Sequence, residues 1–419
     1  MRSLRPLFYL AFGWLLWAAM ASAAHAQSFG TELHNTMMPT AGAMGGVSIA
    51  RPQDVLSSLN ANPATLTHFR GTEFVFSSGW AEATFKLDQT GNAVLPGITP
   101  FSAKSKTPGS ALLNIGVSQE MLLFDMPITA GLGLVSTAGA GVDFRGIPAS
   151  NNTSSQLLVL EVASGVGMKL TDRLSVGGNV QLGSGFYDGP FVSVGAMVPA
   201  YGVRFTTGLN YDVTPDTSLG LYWQSKQNFR FDDAITLNLF GGALDITRPI
   251  YMDLPENVGI GLANRSLMDG RLLLGVDVLF KNWEGADLYK SVYRGQWVFQ
   301  FGSQYSFERL RLRAGYVYAE NPVKPITVTS AGGITPPGGF PALQYTQALL
   351  SPAGDHRISG GVGVVDVLPG IDLDTYAGGA FPQSQQFGAF TSTNVAVYWV
   401  GAGITWRPGR GRVETRLSK

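Results

Sequence analysis

Residues 297–318 read WVFQFGSQYSFERLRLRAGYVY, which is two alternating runs separated by Glu308. In the first run, aromatic side chains recur at nearly every second position, opposite glutamine, glycine and serine. In the second run, leucine, alanine and tyrosine alternate with arginine. Successive side chains of a β-strand point to opposite faces of a sheet, so this period of two predicts two antiparallel strands joined by a very short turn.

The same pattern recurs after residue 70 and predicts fourteen strands. Short connections, such as Thr171 and Glu308, alternate with longer ones, of which 320–355 is the longest. Short turns on one side, long loops on the other and an even strand number are typical of outer-membrane barrels. The predicted strands are 72–87, 110–124, 127–137, 155–170, 172–186, 200–213, 216–231, 255–266, 270–283, 294–307, 309–320, 356–367, 370–380 and 393–406.

The composition supports a membrane protein. Only 14% of the 419 residues are charged, against about 25% in soluble domains. A soluble sandwich or propeller would turn its polar face outward, whereas here one face of the strands is apolar enough to meet lipid. The 29 basic and 29 acidic residues balance, which gives no indication of nucleic-acid binding, and the absence of cysteine excludes thiol chemistry. We therefore predict an all-β membrane protein, a 14-stranded antiparallel transmembrane β-barrel.

The N-terminus has the features of a signal peptide. Arg2 and Arg5 precede an apolar run at 7–21, and Ala24-His25-Ala26 forms a small-x-small cleavage site. The alternative, a membrane anchor, would need about 20 apolar residues. We predict a signal peptide at 1–26, cleaved near Ala26, and a location in the outer membrane of a Gram-negative bacterium.

The stretch 40–69, TAGAMGGVSIARPQDVLSSLNANPATLTHF, differs from the strands that follow it. Pro52 and Asp54 predict the start of a short helix, and a second turn is predicted with Asn62 as N-cap and Pro63 at the first helical position. The lumen of a large barrel needs a filling. We predict that 27–70 forms a small N-terminal helical hatch, or plug, in the lumen, followed by the barrel at 71–407 and a basic periplasmic tail at 408–419.

Six stretches that follow the N-terminal segment, in this order along the chain, resemble those of a known protein family. With the Asn62-Pro63-Ala64 segment, the chain resembles the FadL/TodX family of outer-membrane transporters for long-chain fatty acids and other hydrophobic compounds. The stretches are 201–215 (YGVRFTTGLNYDVTP), 254–263 (LPENVGIGLA), 277–283 (DVLFKNW), 313–316 (RAGY), 321–323 (NPV) and 355–363 (DHRISGGVG).

The resemblance implies passive uptake by a monomer without an energy source, and lateral exit of the ligand through a gap at a kinked third strand. The corresponding strand lies at 127–144, and its gap at 136–144 is expected to face the hatch. The residues involved are Gly131, Gly133, Gly139 and Gly141 of the strand and Asn62, Pro63 and Ala64 of the hatch. The third and fourth outer loops, at 188–200 and 232–254, are shorter than the family leads one to expect.

Strand alternation turns several charged side chains toward the lumen. Lumen-facing charges in barrels commonly pair with one another. Alternatively, one or two of them hold the carboxylate of an amphipathic ligand, because a buried anion needs a cation or several donors. The inward charges are Arg204, Asp277, Lys281, Arg311 and Arg313. We predict that Lys281, Arg204 and Arg313 contact the ligand and that Val47, Ile49, Leu56 and Leu59 line the site for its apolar tail.

Catalysis is not expected. Asp355 and His356 lie near Ser351 and Ser359, but adjacent strand residues point to opposite faces, so this group is no ready catalytic dyad. No metal-ligand spacing is present, and no metal or cofactor is predicted.

The predicted function is passive transport of hydrophobic small molecules, most of all long-chain fatty acids, with a hydrophobic ligand and outer-membrane lipid as partners. One alternative is import of aromatic or alkane hydrocarbons by the same fold. The other is a structural or adhesive barrel that acts through its extracellular loops.

Overall fold

A computed structural model describes residues 34–91, 95, 97–124, 126–189, 197–239, 244–333, 335–336 and 338–409. The predicted signal peptide and most of the basic tail lie outside these residues. No described helix has the length and apolar content needed to cross a membrane.

Fourteen antiparallel strands form a single closed wall. Each pairs with the wall strands before and after it, and the last pairs with the first over Phe74↔Trp406 to Gln89↔Thr391, which closes the sheet. The barrel expected from the sequence is therefore confirmed. With strands numbered along the chain, those of the wall are β1 (Thr72–Gln89), β3 (Ser110–Leu123), β4 (Met126–Asp143), β5 (Ser154–Lys169), β6 (Leu174–Asp188), β7 (Val198–Thr214), β8 (Thr217–Gln224), β11 (Glu256–Leu267), β12 (Leu272–Asn282), β13 (Gln296–Phe307), β14 (Leu310–Ala319), β15 (His356–Leu368), β16 (Ile371–Phe387) and β17 (Thr391–Trp406).

The quoted hairpin is β13 and β14. Phe301 lies opposite Tyr316, and their rings stack outside the wall with centroids 6.2 Å apart. Between these outward aromatics, Gln300 and Gln304 point inward and are buried. The alternation therefore separates a lipid-compatible outer face from a polar inner face, as predicted.

One predicted strand is in fact two. The run predicted at 216–231 breaks after Gln224, and β9 (Gln227–Leu239) pairs with β10 (Leu244–Leu254) in a separate two-stranded sheet. Gln227 and the ring of Phe229 pack over Gly183 and Gly202 on the inner face of β6 and β7. Alternation alone could not show the break, because the inward fold depends on the space left by glycines in other strands. The remaining strand is β2 (Phe101–Lys104), which pairs with the end of β1.

The N-terminal segment contains three short helical pieces. A 3-10 helix at Ala41–Met44 precedes α1 (Val55–Asn60), and a second 3-10 helix spans Pro63–His68. Asn62 caps the last of these, as predicted. The predicted helix start at Pro52 is wrong: Asp54 is the N-cap of α1, because its carboxylate accepts from the backbone N–H of Ser57 at 2.7 Å.

This segment lies inside the barrel and is called the hatch (residues 34–70) below. Its backbone touches wall glycines directly: a Cβ placed on Gly315 of β14 would lie 2.0 Å from the backbone nitrogen of Gly45. A Cβ on Gly177 of β6 would lie 2.4 Å from that of Ala64. The wall glycines thus make room for the plug predicted from the sequence.

The outer loops form an apolar cap over one end of the lumen. It includes α2 (Tyr289–Val292) and α3 (Phe340–Leu349), and α3 comes from the longest loop. The hydroxyl of Tyr345 lies 3.0 Å from that of Thr153, and the Gln347 side chain donates to the carbonyl of Val292 at 2.7 Å. The cap and the hatch together enclose the space between them.

Candidate ligand-binding site

A small cavity of about 40 Å³ lies between the start of the hatch, the inner faces of β12–β15 and the cap. Its volume holds about three waters, whereas sites for small organic ligands typically measure about 300–1,000 Å³. This cavity is therefore too small for such a ligand, which could enter it only if the hatch or the cap moved. The cavity is lined by His34, Thr36, Leu279, Lys281, Trp283, Tyr293, Gln296, Val298, Gln300, Val317, Ala319, Pro322, Pro352 and Arg357.

The lining combines an apolar floor with cationic and amide groups. Leu279 and Lys281 are two positions apart on β12, so both face inward, and Arg357 faces them from β15. None of the described lining residues is acidic. This combination suits a molecule with an apolar body and an anionic group.

Aromatic side chains close the top of the cavity. The indole of Trp283 donates to the side chain of Gln296 at 3.1 Å and meets the ring of Tyr293 edge-on. Burial raises the pKa of Tyr293, so its hydroxyl stays protonated and donates to the carbonyl of Leu350. These contacts tie the cavity roof to the end of α3.

Of the three predicted ligand cations, the structure brings only Lys281 to this cavity. Arg204 is buried and donates to the backbone carbonyls of Ser225 at 2.9 Å and Pro255 at 2.5 Å, where the chain leaves β8 and returns to β11. Arg313 pairs with Asp374 at 2.5 Å. Both arginines therefore contribute to wall structure.

The four predicted tail residues do not surround one cavity. Ile49 packs with Leu279 and Val298, so it borders the cavity floor. Leu56 and Leu59 belong to a different apolar cluster and lie against Gly131 and Gly133 of β4. Val47 faces Gly275 and Gly302.

Several cavity residues were missed by sequence reasoning. His34 and Trp283 lie outside the strands, where alternation gives no direction. Arg357 could have been predicted from the sequence, because it is next to His356 on β15 and its side chain therefore points to the opposite face. His356 lies on the outer side of the wall, with its Nδ1 2.7 Å from the hydroxyl of Tyr316. No group of three potential metal ligands occurs among the described residues.

The hatch motif lies away from the predicted gap. The Asn62 side chain donates to the carbonyl of Leu209 on β7 at 2.9 Å, and Pro63 and Ala64 lie against Gly177 of β6. The prediction that this motif faces 136–144 of β4 is therefore wrong. The position of Asn62 is set by a wall carbonyl, that of Leu209, and a hatch carbonyl, that of Ile49, which the sequence does not identify.

The third strand of the wall, β4, has an interrupted edge. Its pairing with β3 runs from Leu123↔Met126 to Ile115↔Leu134 and stops there, whereas its pairing with β5 continues to Asp143↔Ser154 with a bulge between Ser136 and Ala138. Gly131 and Gly133 lie in the fully paired part. Gly139 and Gly141 lie in the part that β3 does not pair.

Comparison with known proteins identifies the fold. No protein-family model and no curated protein matches the sequence. A Pseudomonas aeruginosa FadL homologue of known structure superposes with a TM-score of 0.65 at 15% identity, covering 92% of this chain and 99% of that one. The Pseudomonas putida toluene transporter TodX gives 0.63 at 18% over 91% and 99%, and the Ralstonia pickettii toluene transporter TbuX gives 0.58 at 16% over 91% and 99%. The fold implied by the resemblance is thus confirmed.

Proposed function

We propose that this chain is a FadL/TodX-type passive channel of the Gram-negative outer membrane. It takes up hydrophobic small molecules, and long-chain fatty acids are the ligand class that we favour. The ligand binds in the lumen, the hatch shifts, and the ligand leaves sideways where β3 stops pairing with β4.

The observation that carries this proposal is the lining of the cavity. A fatty acid has an apolar chain and one carboxylate, and the cavity combines an aliphatic floor with Lys281 and Arg357. A carboxylate removed from water is stabilised by charge-assisted hydrogen bonds from such groups. Because the cavity holds only about three waters, binding must enlarge it. Displacement of the hatch start at His34 and Thr36 would do so.

A second candidate is import of aromatic hydrocarbons. Trp283 and Tyr293 add aromatic surface to the cavity. Two of the similar structures are toluene transporters, which supports this candidate by analogy of fold alone. A hydrocarbon needs no cationic partner, so the two candidates differ in their dependence on Lys281.

Uptake of labelled oleate and labelled toluene separates these candidates. Both are measured in cells that lack their own transporter, with and without this protein. If fatty acids are the ligand, Lys281→Met should reduce oleate uptake about tenfold, the effect of losing one charge-assisted hydrogen bond. Lys290→Met is the matched control, because Lys290 lies on α2, pairs with Asp287 and is exposed.

Each outcome leads to a different assignment. Toluene uptake alone, unchanged by Lys281→Met, would move the assignment to hydrocarbon import. If neither compound crossed faster with the protein present, transport would be wrong and the structural or adhesive barrel would be favoured. In that case deletion of residues 40–69 should leave the function intact.

A further inference from the structure

The edge of β4 is bridged by one buried amide just above the point where its pairing with β3 ends. The Oδ1 atom of Asn114 on β3 accepts from the backbone N–H of Ser136 at 2.8 Å. The Ser136 hydroxyl also donates to the carbonyl of Leu113 at 3.2 Å. Asn114 is fully buried, so these contacts are shielded from water.

The other end of the same amide reaches the hatch. Its Nδ2 atom donates to the carbonyl of Met37 at 3.2 Å and to the hydroxyl of Ser77 on β1 at 3.3 Å. The carbonyl of Met37 accepts a second hydrogen bond, from the hydroxyl of Tyr376 on β16 at 2.9 Å. One side chain therefore contacts both the hatch and the β4 edge.

The stretch of β4 above this bridge is paired with β5 on one side and not with β3 on the other. Thr137 sits at the bulge, and its buried hydroxyl has no hydrogen-bond partner among the described residues. A Cβ on Gly139 would meet nothing closer than the carbonyl of Leu157 at 3.8 Å. At its far end the stretch is hydrogen-bonded to the β2–β3 connection, because the backbone carbonyl of Asp143 accepts from the backbone N–H of Lys106 at 2.8 Å.

We propose that Asn114 is a positioning residue that couples the hatch to the wall. When Met37 moves, Asn114 loses one of its two hydrogen-bond acceptors and reorients, and Ser136 loses its backbone hydrogen bond to β3 and keeps only the one from its hydroxyl to Leu113. An amide is needed because it donates with one atom and accepts with the other. The use of this coupling in ligand release rests on the proposed function, but the coupling itself does not.

The decisive variant loosens the hatch without touching the wall gap. Tyr376→Phe removes one of the two donors to the Met37 carbonyl and keeps the ring. Amide hydrogen exchange is measured on the purified full chain in lipid nanodiscs. Coupling predicts a three- to tenfold faster exchange in 137–143 as well as in 34–44. Faster exchange in 34–44 alone would overturn the proposal.

A double-variant cycle tests the route through Asn114. In the Asn114→Leu background, Tyr376→Phe should no longer alter exchange in 137–143, because the connection is already absent. If it still does, the coupling does not pass through Asn114. Asn210→Ala is the matched control: it removes an amide that donates to the hatch carbonyl of Ala50 at 2.7 Å, and it should leave 137–143 unchanged.

Failure of this proposal and failure of the proposed function are distinguishable. Exchange is measured without any ligand, so it reports on coupling even if neither oleate nor toluene is transported. Conversely, oleate uptake could depend on Lys281 while Tyr376→Phe speeds exchange only in 34–44. That result would support transport and exclude only the role of Asn114.

Discussion

The carboxylate of Asp277 on β12 accepts a hydrogen bond from the backbone N–H of Ser48 at 2.6 Å. The same oxygen accepts from the backbone of Ile49 at 3.0 Å. Asp277 is fully buried, and its two donors belong to the hatch. The buried carboxyl group of Asp277 therefore ties the hatch backbone at Ser48 and Ile49 to β12.

Asp277→Ala should release the middle of the hatch. Two hydrogen bonds are lost, each worth about 0.5–1.5 kcal/mol, and the two amides are left buried without this acceptor. Amide exchange in 46–50 should rise by more than tenfold. Asp277→Asn retains an oxygen acceptor and is the control, with a smaller rise. Wild-type protection in the alanine variant would show that Asp277 does not hold the hatch.

Substitution by valine should have different effects at two adjacent glycines of β6. A Cβ on Gly177 would lie 2.4 Å from backbone atoms of Pro63 and Ala64, whereas one on Gly178 would meet only a carbonyl oxygen at 3.8 Å. Gly177→Val should therefore displace the end of the hatch at a cost of about 1–3 kcal/mol, and Gly178→Val should be tolerated. Protease sensitivity of the hatch in the folded barrel measures this. Equal sensitivity of the two variants would contradict the close contact.

The sequence predicted the wall better than the site. Alternation located every wall strand, because a barrel imposes one side-chain period along its whole circumference. It also placed Arg204 and Arg313 inward correctly. It could not show that Ser225, Pro255 and Asp374 engage them, because these partners depend on where the chain turns and on which strand lies opposite. The cavity likewise depends on loops, whose side chains have no period.

The hatch should become less stable as the pH falls, because of His68. Burial and the positive charge of Arg51 lower the pKa of His68 from 6.5 to about 4, although Asp212 opposes this shift and Lys169 adds to it. A released hatch would regain the ordinary pKa and bind a proton between pH 6.5 and 4. Protection is therefore complete above pH 6.5 and is lost progressively as the pH falls through that window.

Exchange in 64–70 measures this effect. The wild-type rate is divided by that of His68→Gln at each pH, which removes the intrinsic pH dependence of exchange. The ratio should rise roughly fiftyfold from pH 7 to pH 4.5. A constant ratio would show that His68 titrates alike in the fixed and the released hatch.

Arg313 should matter for stability and not for ligand choice. Its guanidinium pairs with Asp374 at 2.5 Å and donates to Gln304 at 2.7 Å, and Gln304 in turn contacts Gln53 of the hatch. Arg313→Met alone leaves Asp374 buried without this partner and should lower the free energy of unfolding by about 3–5 kcal/mol. Removing both charges, in Arg313→Met with Asp374→Leu, should recover most of that loss, because the isolated buried carboxylate is then gone. Urea unfolding of the barrel in lipid gives the three values. If Arg313 instead bound ligand, the double variant would regain stability and still fail in oleate uptake, whereas a structural pair predicts that uptake returns with stability.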